Sequence, residues 1–197
     1  MEAAKKPEKR YTYADYSKWP EDERWELIEG VPYAMASPTI AHQLIIGEIF
    51  GQLRERLKGK PCQVFVAPLS VRLNAGEGDD TVVEPDILVV CDKTKLESGK
   101  SVIGAPDFIA EVLSPSTAHR DLMTKFKLYR QSGVREYWVI DPDSKLLMTY
   151  NFRSGRFSGS MYSADDSAVP IDCLEGCAIN LTEAFSGLPE VSEESEE

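Results

Sequence analysis

Two acidic residues, Glu111 and Asp86, are the first candidates for chemistry because both belong to apolar runs of the sequence. Glu111 lies within DFIAEVLS (107–114), where an ionised carboxylate is costly unless something binds it. Asp86 opens the run DILVV (86–90), directly after a proline. Two carboxylates brought together repel each other and normally need a cation between them. If the two residues meet, a hard divalent ion, Mg²⁺ or Mn²⁺, is the expected ligand.

Side-chain alternation along strands determines whether they can meet. Asp86 shares a strand face with Leu88, and Glu111 shares one with Ile109. If the two strands are neighbours, Asp86 and Glu111 lie together at one edge of a sheet. Asp107 is four residues before Glu111, about 13 Å along a strand, which is too far for one ion. The alternative, that each carboxylate simply ends its strand in solvent, stays open on spacing alone and is weaker for Glu111.

A helix predicted over residues 117–133 brings in a lysine. At 100° per residue, Lys125 falls at the edge of the apolar stripe and Lys127 falls on the outer side. The stripe consists of Ala118, Leu122, Phe126 and Tyr129. We therefore predict that Lys125 turns inward toward the strand that precedes it and that Lys127 is solvated. A lysine that runs along the surface with its ammonium group in water is the competing interpretation.

The elements that position these residues follow from hydrophobic periodicity and turn signals. A short helix capped by Thr12 precedes a β-hairpin over 24–36, whose turn is Glu29-Gly30. A helix is predicted over 39–59, and its apolar residues are Leu44, Ile45, Ile49, Leu53 and Leu57. Strands are predicted at 62–73, 81–92, 107–114, 136–142, 145–152 and 156–163, with a polar connection at 93–104 and a short helix at 181–185.

This order predicts a mixed α/β (α+β) fold in which helices pack on one central mixed sheet. We expect a flexible N-terminus (1–10), a single domain (11–187) and an acidic, disordered tail (188–197). The net charge is −11, and residues 190–197 contribute five glutamates and no base. The rest of the chain is still acidic, which counts against strong non-specific binding to DNA but does not exclude a metal-assisted phosphate site.

Neither a membrane partner nor a disulfide is expected. The sequence contains no apolar run long enough to span a bilayer, and its N-terminus lacks an apolar signal region, so we predict a cytoplasmic protein. The four cysteines contain no CxxC pair and are interpreted as thiols in apolar or loop positions. They are Cys62, Cys91, Cys173 and Cys177.

Several segments together carry a family resemblance. They are EPDILVV (84–90), PDFIAEVLSPS (106–116), the helix with Lys125 and Tyr129, and GVREYWVIDP (133–142). This combination resembles a large bacterial family of putative restriction endonucleases within the PD-(D/E)XK nuclease superfamily. The resemblance extends to WELIEGVPYAM (25–35) and to His42. It implies a restriction-endonuclease-like fold and Mg²⁺-dependent hydrolysis of phosphodiester bonds.

Mapped residue by residue, the resemblance makes Asp86 and Glu111 metal ligands and adds the backbone carbonyl of Val112 as a third. The superfamily lysine belongs two residues after the acid, where this chain has Leu113. We predict that Lys125 replaces it, to position the attacking water and stabilise the phosphate in the transition state. Secondary candidates for a metal or water contact are Glu29, His42, Glu48 and Tyr129. Solvated roles are favoured for Glu29 and Glu48.

The resulting hypothesis is a metal-dependent DNA endonuclease that uses Asp86, Glu111 and Lys125. The alternative is a catalytically inactive member of the fold that serves as a nucleic-acid-binding or assembly module. The sequence does not separate DNA from RNA as the substrate. A homodimer is expected from an apolar hairpin and an exposed late β-region.

Overall fold

The computed structural model describes residues 9–20, 22–115, 117–152 and 157–189. Most of the predicted flexible N-terminus and acidic tail lies outside these ranges. The helices are α1 (Tyr13–Tyr16), α2 (Ile40–Arg56), a π-helical segment (Arg120–Lys125) that continues into α3 (Phe126–Ser132), and α4 (Leu181–Ser186). A 3₁₀ turn spans Lys93–Leu96. None of the helices in the described ranges is long and apolar enough to cross a membrane.

Thirteen strands are present in the described ranges. In chain order they are β1 (Trp25–Ile28), β2 (Val31–Ala34), β3 (Gln63–Val66), β4 (Val71–Arg72), β5 (Val82–Val83), β6 (Ile87–Val90), β7 (Val102–Ile103), β8 (Phe108–Val112), β9 (Glu136–Asp141), β10 (Leu146–Asn151), β11 (Ser158–Ser163), β12 (Val169–Pro170) and β13 (Ala178–Ile179). The predicted hairpin is confirmed as β1 and β2. Its turn residues Glu29 and Gly30 have φ values of 49° and 77°, which suits a tight turn between twisted strands.

The larger sheet has the order β11-β10-β9-β8-β6-β3. Strands β8 and β9 are parallel, and the other neighbours in this sheet are antiparallel. The π-helical segment and α3 form the crossover between the parallel pair, and α3 ends at Gly133 with φ 92°. The central strands β8 and β9 are buried along almost their whole length. The mixed α+β fold class predicted from the sequence is confirmed.

A second sheet was not predicted. It has five short strands in the order β2-β1-β5-β4-β7. The two segments expected as single strands at 62–73 and 81–92 each divide between the sheets, as β3 with β4 and as β5 with β6. Each division falls at a proline, Pro68 or Pro85. Proline cannot donate a hydrogen bond to the ladder, so the chain leaves one sheet there and enters the other.

The larger sheet is covered on both faces. On one face Val89, Ala110 and Trp138 pack against apolar residues of α2 and α4. On the other face, residues such as Ile109 pack with Tyr129 of α3 and with the second sheet. Leu44 was placed in the buried stripe of α2 but is 43% exposed, because the buried stripe of α2 follows Ile45, Ile49 and Leu53 instead.

The prediction of four free thiols is wrong for two cysteines. Cys62 and Cys91 form a disulfide, while Cys173 and Cys177 are free and buried. The antiparallel register pairs Gln63 of β3 with Val90 of β6. This register places the residues just outside both strands opposite each other, a relationship that cysteine spacing along the sequence does not reveal.

Candidate active site

Asp86 and Glu111 meet at one end of the β6–β8 pair. The antiparallel register sets Ile87 opposite Ala110, so Asp86 comes to lie opposite Glu111. The backbone N–H of Asp86 points at Oε2 of Glu111 with an N···O distance of 3.4 Å. Asp107 lies at the far end of β8, where it accepts a hydrogen bond from Arg135. The juxtaposition expected from side-chain alternation is therefore present, and Asp107 is not part of it.

The ammonium group of Lys125 lies in the middle of an acidic cluster. Its Nζ is 2.9 Å from Glu111 Oε1, 2.9 Å from Glu26 Oε1 and 3.3 Å from Asp121 Oδ1. The Lys125 side chain is 4% exposed, whereas Lys127 is exposed to solvent. Lys125 thus points inward and Lys127 outward, as helix geometry predicts, although the surroundings of Lys125 are more acidic than the sequence suggested.

A π-helical segment determines which side chains face the site. The predicted inner stripe assumed α-helical spacing from residue 117 onward, but residues 120–125 form a wider turn. Leu122 and Phe126 are only partly buried, and the buried positions are Asp121, Lys125, Leu128 and Tyr129. A π turn adds about one residue per turn, so two charged residues four positions apart face the sheet where apolar residues were expected. Such turns are frequent at functional sites.

Two of the secondary candidates contact the acidic pair. The hydroxyl of Tyr129 donates a hydrogen bond to Glu111 Oε1 at 2.7 Å. The Nε2 atom of His42, near the start of α2, is 3.1 Å from Asp86 Oδ2. The same Asp86 oxygen accepts the backbone N–H of Val112 at 2.8 Å. Within the described residues these contacts fix one oxygen of each carboxylate, Asp86 Oδ2 and Glu111 Oε1, while Glu111 Oε2 has only the longer contact with the N–H of Asp86.

The other two secondary candidates lie outside the site. Glu29 is exposed in the β1–β2 turn, and Glu48 is exposed on α2, where it accepts a hydrogen bond from Gln52. Both positions agree with the solvated roles favoured from the sequence. Val112 is brought to the site by its backbone N–H, and the role predicted for its carbonyl stays a prediction.

Three residues of the site were missed from the sequence: Glu26, Arg120 and Asp121. Glu26 on β1 is fully buried, and its Oε1 accepts the backbone N–H of Glu84 as well as facing Lys125. The criterion that singled out Glu111, an acid inside an apolar run, applies equally to Glu26 in WELI (25–28) and would have found it. No comparable signal marks Asp121 or Arg120, because their burial depends on the π turn.

The cluster carries more negative than positive charge. Four acids face two permanently charged bases, so the net charge is −2 when all four acids are ionised and His42 is not counted. The acids are Glu26, Asp86, Glu111 and Asp121, and the bases are Lys125 and Arg120. Burial and the neighbouring acids raise the pKa of Glu111 to about 8, although Lys125 acts in the opposite direction. Burial also raises the pKa of Asp121. The surrounding carboxylates raise the pKa of Lys125 despite its burial.

A cleft of about 130 Å³ opens beside these residues. Within the described part of the chain, four buried side-chain atoms have no hydrogen-bond partner: Glu26 Oε2, His42 Nδ1, Arg120 Nε and Asp121 Oδ1. All four belong to residues that line this cleft. Buried polar atoms without a hydrogen-bond partner are rare because each costs free energy, although Asp121 Oδ1 still faces Lys125 and Arg120 Nε faces Glu26 Oε2 at longer distances. A polar ligand in this cleft would supply the missing hydrogen bonds.

The donor set suits a hard divalent cation. Asp86 and Glu111 each have one oxygen that is not fixed by a close hydrogen bond to a described residue, and carboxylate oxygens are the ligands that Mg²⁺ and Mn²⁺ prefer. No group of three or more His, Cys, Asp or Glu side chains within the described ranges is arranged as a metal cage. A site of two carboxylates completed by water fits the habit of Mg²⁺, which retains several waters.

Comparisons with known proteins identify the family and the fold. A family described as Uma2, "Putative restriction endonuclease", matches residues 13–182. Two uncharacterized proteins of Synechocystis sp., slr1290 and sll1609, are each 27% identical, over 140 and 134 residues, covering 70% and 66% of this chain and 72% and 74% of theirs. A crystal structure of a "putative nuclease belonging to DUF820" from Anabaena variabilis superposes with a TM-score of 0.72 at 22% identity, covering 89% of this chain and 98% of that one. The chain therefore belongs to the Uma2 family of putative restriction endonucleases.

Proposed function

We propose that this protein is a metal-dependent endonuclease that hydrolyses DNA phosphodiester bonds at the cleft formed by Asp86, Glu111 and Lys125. The observation that carries the proposal is the pair Asp86–Glu111, brought together in a buried cluster where four acids face two bases. Four polar atoms of residues that line its cleft have no hydrogen-bond partner within the described residues. A divalent cation offsets such a charge and binds such oxygens. DNA is favoured as the substrate because the family is described as a restriction endonuclease family.

In this proposal Asp86 and Glu111 hold Mg²⁺ or Mn²⁺, together with the carbonyl of Val112. The bound ion supplies Lewis acidity and positive charge at the phosphate. The protein supplies the positions of the ligands. His42 and the Val112 N–H hold Oδ2 of Asp86, and Tyr129 and Lys125 hold Oε1 of Glu111.

Leu113 occupies the motif position of the lysine, and Lys125 is the lysine that contacts Glu111, but it has an additional task. Its ammonium group lies within 3.3 Å of three carboxylates. Without that charge, Glu26, Glu111 and Asp121 would repel one another and separate. We assign Lys125 first to holding the acidic residues in place, and its action on the attacking water follows from its contact with Glu111.

The test is cleavage of supercoiled and linear DNA with Mg²⁺ or Mn²⁺, with EDTA as the metal-free control. Wild type is expected to cleave only with metal, and Glu111→Gln and Asp86→Asn are expected to lose activity. Glu48→Gln is the matched control, because it removes one carboxylate from an exposed site on α2 and should cleave like wild type. Activity that survives Glu111→Gln would refute the mechanism.

Metal binding provides a second readout that does not depend on finding the right DNA sequence. Calorimetric titration with Mn²⁺ is expected to give one site in wild type and in Glu48→Gln, and none in Asp86→Asn. An Mn²⁺ site without cleavage of DNA, but with cleavage of RNA, would reassign the substrate. Absence of both metal binding and cleavage would favour the inactive binding module. The predicted homodimer stays a prediction, which light scattering can check.

A further inference from the structure

We infer that Arg120 is the phosphate-binding residue of this cleft, an inference that rests on the proposed function and names the group that contacts the substrate's anion. Arg120 opens the π-helical segment, and its side chain is 16% exposed. Its Nε is buried and has no hydrogen-bond partner in the described part of the chain. A buried N–H donor without an acceptor is unfavourable, so the Arg120 guanidinium group would gain from binding an anionic acceptor.

The nearest acid does not satisfy this donor. Glu26 Oε2 is 3.8 Å from Arg120 Nε, which is beyond hydrogen-bonding distance, and that oxygen is itself unpaired. Tyr33 on β2 lies beneath the guanidinium, with Cζ 5.3 Å from the ring centroid. A cation–π contact of this kind uses the face of the guanidinium group and does not occupy its N–H donors.

Lys125, the other buried cation of the site, already forms ion pairs with carboxylates. Three carboxylates lie within 3.3 Å of Lys125 Nζ, so a phosphate oxygen that approached this ammonium would also approach those carboxylates. Among the described residues, the ion pair of Arg120 is with Glu26, at the longer distance of 3.8 Å. Arg120 also lines the cleft with Asp86 and Glu111. A planar guanidinium also matches two oxygens of a phosphate, which a lysine cannot do.

The ligand class is therefore a phosphate ester, whose non-bridging oxygens Arg120 would bind. Asp86 and Glu111, which line the same cleft, would hold the cation. This division separates two tasks that the sequence assigned to one residue. Lys125 holds the carboxylates together, and Arg120 binds the anion.

Inorganic phosphate in the presence of Mg²⁺ is the probe, and binding is measured by calorimetry for wild type, Arg120→Met, Arg120→Lys and Arg130→Met. Arg130 is exposed on α3 of the same helical unit and is the matched control. Arg120→Met is expected to weaken phosphate binding about 10- to 100-fold, the range for one or two lost hydrogen bonds to a charged group. Arg120→Lys retains the charge without the planar guanidinium group, so its affinity for phosphate is expected to lie between those of wild type and Arg120→Met. Arg130→Met should bind phosphate as wild type does.

Two results would overturn the inference: wild-type affinity for phosphate in both Arg120 variants, or no phosphate binding by wild type with Mg²⁺. Circular dichroism and thermal unfolding identify a variant that fails to fold, and Arg120→Lys then decides the question.

The nuclease assay separates this inference from the proposed function. Phosphate binding through Arg120 without nucleic-acid cleavage would refute the nuclease and keep the phosphate site. Cleavage with an unchanged KM and kcat in Arg120→Met would do the reverse.

Discussion

Replacing Lys125 by methionine should destabilise the metal-free protein far more than the same change two residues later. Methionine keeps the length and apolar stem of lysine and removes the charge. Lys127→Met makes the identical chemical change at an exposed position of the same helix. The difference between the two variants therefore isolates the contacts made by one ammonium group.

The magnitude follows from the distances. Two carboxylates lie 2.9 Å from Lys125 Nζ, and a pair of unit charges at that separation interacts by about 6 kcal/mol at an effective dielectric constant of about 20. Most of this gain offsets the desolvation of a lysine that is almost fully buried. Removing one partner of a buried ion pair typically costs about 3–5 kcal/mol. We expect a loss of that size for Lys125→Met and a change within about 0.5 kcal/mol for Lys127→Met.

Urea unfolding in EDTA, followed by circular dichroism, measures both free energies of unfolding. The loss in Lys125→Met should be smaller near about pH 6 than near about pH 9, because burial and neighbouring acids raise the pKa of Glu111 to about 8 and a protonated Glu111 no longer needs the cation. If the two variants unfold within about 0.5 kcal/mol of each other at the higher pH, the ion pairs contribute nothing and the assignment of Lys125 is incorrect.

Three further predictions concern the pH dependence, a hydrogen bond and the disulfide. The pKa of Glu111 is raised from 4.5 to about 8, so between these pH values the folded state holds a proton that the unfolded state has lost. Metal-free wild type should therefore lose stability as the pH rises through this window, by up to about 1.4 kcal/mol per pH unit. Urea titrations of Glu111→Gln should show a flatter dependence of stability on pH. At about pH 9, where Glu111 is ionised, Tyr129→Phe removes a hydrogen bond to a carboxylate and should cost about 1.5–3 kcal/mol. Tyr137→Phe, whose hydroxyl donates to a backbone carbonyl, should cost only about 0.5–1.5 kcal/mol, and equal losses at this pH would contradict the charge-assisted bond. Cys62→Ser removes the disulfide to Cys91, which closes a loop with a sequence separation of 29 residues. It should lower the free energy of unfolding of the oxidised protein by about 3–4 kcal/mol, and a reductant should lower that of wild type by the same amount. If neither treatment changes the free energy of unfolding, the two thiols are not bonded in solution.

The parts of the site that the sequence predicts are those set by local periodicity. Alternation along two strands placed Asp86 opposite Glu111, and helical spacing turned Lys125 inward. Both inferences needed only that neighbouring segments pair in the ordinary way.

The parts that the sequence did not predict depend on contacts between distant elements. Glu26 enters the site because a second sheet packs against the first. In the sequence alone, the two prolines at which the chain passes from one sheet to the other are equally compatible with an irregularity within a single strand. The π turn that buries Asp121 has no signature in residue spacing, since α-helical periodicity also fits that segment. The Cys62–Cys91 bond depends on the register of β3 against β6, which spacing along the chain does not specify.

The division of the acidic cluster between two sheets has a consequence for how the site is assembled during folding. Glu26 belongs to β1 in the five-stranded sheet, whereas Glu111 belongs to β8 in the six-stranded sheet. Residue 26 is synthesised long before residue 111, and neither sheet alone contains the whole cluster. Lys125 can gather the two acids only after both sheets and the π-helical segment have docked. The complete cluster, and any activity that depends on it, therefore requires both sheets to be folded and packed together.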